Sequence, residues 1–236
     1  MGAIYRREMG AFFSSAVAYV FLAVFYALSG LFFCNSSIGV SSPDMSGSFS
    51  SMLLIVIILI PVLTMRLFSE EKKQKTEQGL LTAPVSLGSI VCGKFFAAFT
   101  LFVIASSIFP VYGLIIEYFG SAAWATIISN YVALLLLGAA YIAICLFISS
   151  LTENQIVSAV ASFIILMLMY LIDYIASIVP EKLSFVQKIL SGISFNSRYY
   201  EFTMGIFNLS SVLFFISVIV LFNFFTVRIF EKRRWS

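Results

Sequence analysis

The residue types that carry most enzyme chemistry are scarce in this chain, and their spacing narrows the field further. No histidine occurs in 236 residues, and Cys34, Cys92 and Cys145 lie more than 50 residues apart. Zinc, haem and thioredoxin-type spacings are therefore absent, and imidazole-based catalysis is excluded. The cysteines read as small, buried apolar residues. One segment imitates a phosphate-binding loop: Gly88-Ser89-Ile90-Val91-Cys92-Gly93-Lys94 has the G-x-x-x-x-G-K spacing. The next residue is Phe95, where magnesium coordination requires Ser or Thr, and no hydrophobic strand precedes the segment. Gly93 and Lys94 are better read as the inner end of an apolar span, with the lysine reaching toward lipid headgroups. Two carboxylates remain in or beside apolar runs. Glu117 sits at the outer end of one run, and Asp173 lies past the middle of another, ~10 Å outward at helical rise. Neither is the midplane carboxylate that a proton-coupled carrier needs. The energy source for any transport is expected on another chain.

The elements that position these residues follow from composition. Hydrophobic residues make up 61% of the chain and charged residues only 11%, against roughly 25% charged in ordinary soluble domains. The excess apolar surface must face lipid, and backbone groups in lipid must be satisfied within the segment, so the runs are expected to be helices. Runs long enough to cross a bilayer occur near 15–34, 50–68, 95–117, 129–149, 155–178 and 209–228. The expected fold is an all-α integral membrane protein of six transmembrane helices, a single domain over 1–236. Ala139, Ala143, Ser158 and Ser162 are small enough to allow close helix approach.

Orientation follows from Lys and Arg. With the N-terminus inside, Arg6, Arg7, Arg66, Lys72, Lys73, Lys75, Lys94, Arg228, Lys232, Arg233 and Arg234 all fall inside. Only Lys182, Lys188 and Arg198 of the 14 basic residues fall outside. Both termini are therefore expected to be cytoplasmic, with 179–207 as an outer segment. The first run is too long for a signal peptide and ends without a small-x-small cleavage site. Before it, Tyr5, Met9, Phe12 and Phe13 fall on one side of a helical wheel, with Arg6 and Arg7 elsewhere. This predicts an amphipathic helix over 3–14 lying in the inner interface, with a plain frayed extension as the alternative.

The most informative segment is the inner loop 66–94. The second span should continue into it as a helix, supported by an i, i+4 pair of Glu71 and Lys75. Gly79 and Pro84 should break that helix, and Ser86 can cap the next. Leu80 and Leu81 then sit at a bend with nothing of this chain to cover them. A charged stem, with Glu70, Glu71, Lys72, Thr76 and Glu77, ending in an apolar tip suits a docking element; a merely solvated loop is the alternative.

This segment resembles the signature of ABC-2 type transporter permeases: an acidic pair, basic residues, Thr76-Glu77, Leu80-Leu81, Pro84-Val85 and Lys94-Phe95. It is most similar to the branch of gliding-motility and nitrous-oxide-reductase accessory permeases. Lys75 stands where the family often has Gly, and Gly79 where it often has Leu. Ser149-Ser150-Leu151-Thr152-Glu153-Asn154-Gln155 resembles the family's turn between spans four and five. Arg198-Tyr199-Tyr200-Glu201-Phe202, with Gly205-Ile206 and Asn208-Leu209, resembles its outer segment, and Thr226-Val227-Arg228 with Arg233-Arg234-Trp235 its basic C-terminus. The resemblance implies a bacterial inner-membrane permease subunit, without catalytic activity, of an ATP-driven exporter. Such a subunit binds no cofactor itself; ATP and Mg belong to a partner ABC ATPase docked on the loop through Glu70, Glu71, Lys72, Thr76, Glu77, Leu80, Leu81 and Pro84. A second permease copy or homologue and membrane lipid are the other implied partners, and a charge of only +3 does not suggest nucleic acid. A membrane scaffold or mechanotransmitter that moves no solute shares every one of these features.

Overall fold

Helix is the solution that lipid imposes on apolar segments of this length, because each backbone group finds its partner four residues away. The structure, a computed structural model, describes residues 1–39, 43–76, 78–79, 85–178, 192–205 and 207–235. Among them there is no strand. In chain order the helices are α1 (Gly2–Ser14), α2 (Ala16–Phe33), a short π-helix (Cys34–Ile38), α3 (Ser46–Thr64), α4 (Arg66–Lys73), α5 (Leu87–Ser106), α6 (Ile108–Phe119), α7 (Trp124–Leu151), α8 (Gln155–Ile178), α9 (Phe195–Thr203) and α10 (Leu209–Trp235). Six helical segments are long and apolar enough to cross a membrane, with α3–α4 and α5–α6 each counting as one.

Two boundaries differ from the sequence reading for a local reason. The third span starts at Leu87, not near 95, because Ser86 caps it: its hydroxyl accepts from the Ser89 N–H at 3.4 Å and bonds the Ser89 hydroxyl at 2.8 Å. Residues 87–94 are thus the first two turns of a helix, and Gly88–Lys94 forms no loop that could cradle phosphate. The same span runs to Phe119, 33 residues in all, or ~50 Å at helical rise against a ~30 Å hydrocarbon core. It breaks at Ser107, three residues before Pro110, whose missing N–H leaves the Ser106 carbonyl without its helical donor.

Helix α7 is the axis of the bundle, packed against α3, α4, α5, α6, α8, α9 and α10. It is apolar all round, as suits a helix buried over most of its length, and Ala139, Ala140 and Ala143 keep its neighbours close. Ser158 and Ser162 of α8 are buried as well. The tightest point is Gly138, where a Cβ would stand only 2.1 Å from the Phe102 ring of α5. Phe102 is fully buried and meets Phe25 edge-on at 6.2 Å, so the ring has nowhere to retreat. Gly138→Ala is expected to lower stability by about 2–3 kcal/mol, the usual effect of overpacking a filled core. Thermal unfolding of the purified protein in detergent measures it, and an unchanged transition would contradict this packing.

The periphery is different. Ile156, Val160, Ile164 and Leu168 on α8, and Leu213, Ile216, Val220 and Phe224 on α10, are exposed. Such apolar stripes suit a lipid environment, as expected of a multi-pass membrane protein. One end of the bundle gathers most of the described charge. There α1 meets α5, Lys72 pairs with Glu153 at 3.1 Å, Phe68 packs on Phe230 at 4.7 Å, and Arg233 donates to the Ser150 carbonyl at 2.7 Å. The first and last helices therefore reach the same end, called here the basic end. At the opposite end Glu117 accepts from the Ala122 N–H at 2.9 Å, closing the α6–α7 turn. Asp173 accepts the Ser194 hydroxyl proton at 2.5 Å, tying α8 to the cap of α9. Both carboxylates are held by local structural bonds.

Candidate functional site

Charge converges at one point of the basic end. Lys94 is the eighth residue of α5 and only 1% exposed, so a reading that sends its side chain out to headgroups is incorrect. Burying an ammonium is tolerable only when its donors are all matched. Here Nζ lies 3.1 Å from Glu8 Oε1, 3.0 Å from Glu71 Oε1 and 2.6 Å from the Leu67 carbonyl oxygen. All three ammonium donors have a partner, and Nζ also stands 5.0 Å from the centre of the Phe68 ring.

Arg7 closes the cluster from the exposed side. Its Nη2 is 2.6 Å from Glu8 Oε1 and 2.5 Å from Glu71 Oε1. Two cations and two carboxylates thus alternate, and the group is neutral as a whole. Partial burial by itself lowers the Arg7 pKa. Hydrogen bonds and charge from Glu8 and Glu71 outweigh that effect and leave it raised, so the guanidinium stays charged at any accessible pH.

Three helices supply these groups, and each position has a local cause. Glu8 falls between Ile4 and Phe12 at i, i+4 spacing, so it shares the face of α1 that packs on the bundle. Gly93 makes that packing possible, since a Cβ there would stand 3.0 Å from Ile4 Cγ2 and 3.4 Å from the Tyr5 backbone nitrogen. The apparent phosphate-loop ending Gly93-Lys94 is therefore a seat for α1: the glycine admits the helix and the lysine pairs with its carboxylate. Glu71 comes from α4, the helical continuation of the second span, which also places Arg66 Nε 3.0 Å from Glu70 Oε2. A cavity of about 340 Å³ opens between α1 and α4, with Arg7, Glu8, Arg66, Glu70, Glu71 and Lys94 in its walls and Phe12 among its apolar ones.

Several expected site residues take other roles. Glu71 does not pair with Lys75, because α4 ends at Lys73 and Lys75 lies beyond it with φ +58°. The Lys75 N–H bonds the Lys72 carbonyl at 3.1 Å and the Thr76 N–H bonds the Glu71 carbonyl at 3.0 Å. That is the Schellman ending, whose left-handed position favours glycine, and it accounts for glycine in the family pattern at this place. Lys75→Gly is expected to raise stability by up to about 1 kcal/mol, and Lys75→Val to lower it, since a β-branched residue fits the left-handed region worst. Thermal unfolding in detergent distinguishes them. Lys72 pairs with Glu153 and Glu70 with Arg66, also accepting from Gln74 at 3.3 Å. On α1, Tyr5 donates to the Thr100 hydroxyl at 3.1 Å, Phe12 is buried, Met9 is half-buried, and Arg6 and Phe13 are exposed. Tyr5, Met9 and Phe12 thus pack on protein. Glu77, Leu80, Leu81, Pro84, Lys182 and Lys188 lie outside the described residues.

Glu8, Gly93 and Lys94 were the members the sequence reading did not bring together. The available signals were a carboxylate on the apolar stripe of α1 and a lysine within an apolar run. Among the described residues no group of three Cys, Asp or Glu is placed to hold a metal ion. The cluster ties α1, α4 and the start of α5 to one another through ion pairs. The chain matches the family model described as ABC-2 family transporter protein over residues 6–169. No curated protein matches it significantly.

Proposed function

Because the chain belongs to the ABC-2 transporter family, we propose that it is the non-catalytic permease subunit of an ATP-driven exporter, with a separate ABC ATPase docked at the basic end. The observation that carries this reading is the Lys94–Glu8–Glu71–Arg7 cluster. Force applied to α4 reaches a transmembrane span directly through α3, and reaches α5 and α1 through buried ion pairs. A loop that merely joined two spans would need no such connection. The basic end faces the cytoplasm of a bacterial inner membrane, in keeping with the excess of Lys and Arg there. Two copies, or a copy and a homologue, pair across exposed apolar helix faces. ATP-driven closure of the ATPases then rocks α4 and opens a path outward. α1 lies along the inner interface with Arg6 and Phe13 toward headgroups and lipid.

Two measurements test this. In a chain cleared of native cysteines, an impermeant thiol reagent applied to intact cells should label Lys188→Cys and spare Lys73→Cys. The opposite pattern overturns the orientation. Reconstituted with the chain, the ATPase should hydrolyse ATP faster than alone, and an unchanged rate would remove the coupling role.

A further inference from the structure

The second span does not pass from α3 into α4 by an ordinary helical ladder. At the junction the Phe68 and Ser69 N–H groups both point to the Ser149 hydroxyl oxygen of α7, each at 3.3 Å. That hydroxyl in turn donates to the Met65 carbonyl at 3.0 Å, and the Ser69 hydroxyl bonds the same carbonyl. A side chain inserted into the ladder is one of the few recognised causes of a helix bend. Pro61, four residues before Met65, has already removed one backbone donor, and Thr64 turns its hydroxyl back to the Ile60 carbonyl at 2.9 Å. Ser149 is fully buried, so no water replaces it.

We infer that Ser149 is a positioning residue, a hydroxyl latch that lets α4 swivel on α3 without stranding backbone donors. This rests on the proposed docking of an ATPase at the basic end, which gives the swivel its use. In the observed state the latch supplies the acceptor for Phe68 and Ser69. When α4 straightens, Thr64 and Met65 supply it by the regular i to i−4 pattern. The Phe68 and Ser69 N–H groups are satisfied in both states, which a buried hinge requires, because an unpaired amide in apolar surroundings is too unfavourable to be populated. The flanking bonds have matching placement. The Ser150 carbonyl accepts from Arg233 of α10, and Glu153 pairs with Lys72 at the far end of α4. The last turn of α7 and the residues after it thus hold α4 at both ends, and the hydroxyl is the bond that exchanges.

The test compares Ser149→Thr, which keeps a hydroxyl, with Ser149→Val, which has the same shape without one. Spin labels at Lys73→Cys and Lys232→Cys, both exposed, report the distance from the end of α4 to α10 in a chain cleared of Cys34, Cys92 and Cys145, in lipid nanodiscs without ATPase. The Thr variant should keep the wild-type distance distribution and the Val variant should shift it. Equal behaviour of Thr and Val, shifted or not, overturns the latch. With ATPase added, the Val variant should bind it normally yet stimulate hydrolysis about five- to tenfold less, the equivalent of roughly one hydrogen bond; undiminished stimulation overturns the transmitting role. The distance measurement needs no partner, so its failure leaves the docking proposal standing. Failure of the wild-type chain to stimulate ATPase removes docking and leaves the latch.

Discussion

Lys94→Met is expected to lower stability by about 3–5 kcal/mol, the range for removing one partner of a buried ion pair. The methionine fills the same volume, so the loss reports charge and not a cavity. Glu8 and Glu71, with side chains only 11% and 17% exposed, would be left sharing the single cation Arg7. Wild type balances Arg7 and Lys94 against Glu8 and Glu71, whereas the methionine variant carries one excess buried negative charge. Adding Glu8→Leu restores neutrality, with Arg7 facing Glu71 alone, and should recover most of the lost stability. Unfolding of the single and double variants in detergent, at fixed salt, gives both numbers. A double variant no better than the single one would mean that the cluster is not held by charge balance.

The same residues show how far sequence reasoning reaches. Six apolar runs and the concentration of Lys and Arg in particular loops are local properties, so the spans and the segments bearing most positive charge were legible. Ser86 was also legible as a cap, because capping depends on a residue and its next three neighbours. Lys94 was not, because its partners lie 86 and 23 residues away and no periodicity connects them. The preference of lysine for headgroups is sound for a residue at the end of a span. It failed here because the span begins two turns earlier than hydropathy indicates, which places the ammonium inside protein. Lys75 is a third kind of case. Its departure from the glycine of the family pattern was visible in the sequence, but its meaning depended on the left-handed φ at the end of α4. Ser149 stood within a recognised turn motif, yet which serine mattered followed only from its bonds to α4.

The remaining large effect concerns association. Leu80→Ala together with Leu81→Ala is expected to weaken ATPase binding by about 2–4 kcal/mol, which is roughly 30- to 1,000-fold in affinity. Both leucines lie outside the described residues, seven and eight positions after α4 ends at Lys73. The Schellman turn at Lys75 stops the charged helix, and sequence then presents two adjacent leucines to the cytosol in the proposed orientation. Apolar anchors at the centre of an interface carry most of its energy, whereas rim charges act mainly on encounter rate and salt dependence. Glu77→Lys should therefore slow association and make it more salt-dependent, with a smaller change in affinity than the double leucine variant. The Lys94 cluster lies at least nine residues from the leucines in sequence and its charges are internally matched, so it should hold α4 in place in either variant. Co-purification of the ATPase in detergent measures binding, and membrane insertion is scored separately by the yield of folded permease. The double leucine variant should insert normally, fail to retain the ATPase and fail to stimulate hydrolysis. Full retention of the partner by that variant would sink the assignment of 66–94 as the coupling segment, and would leave the cavity between α1 and α4 as the surface to test next.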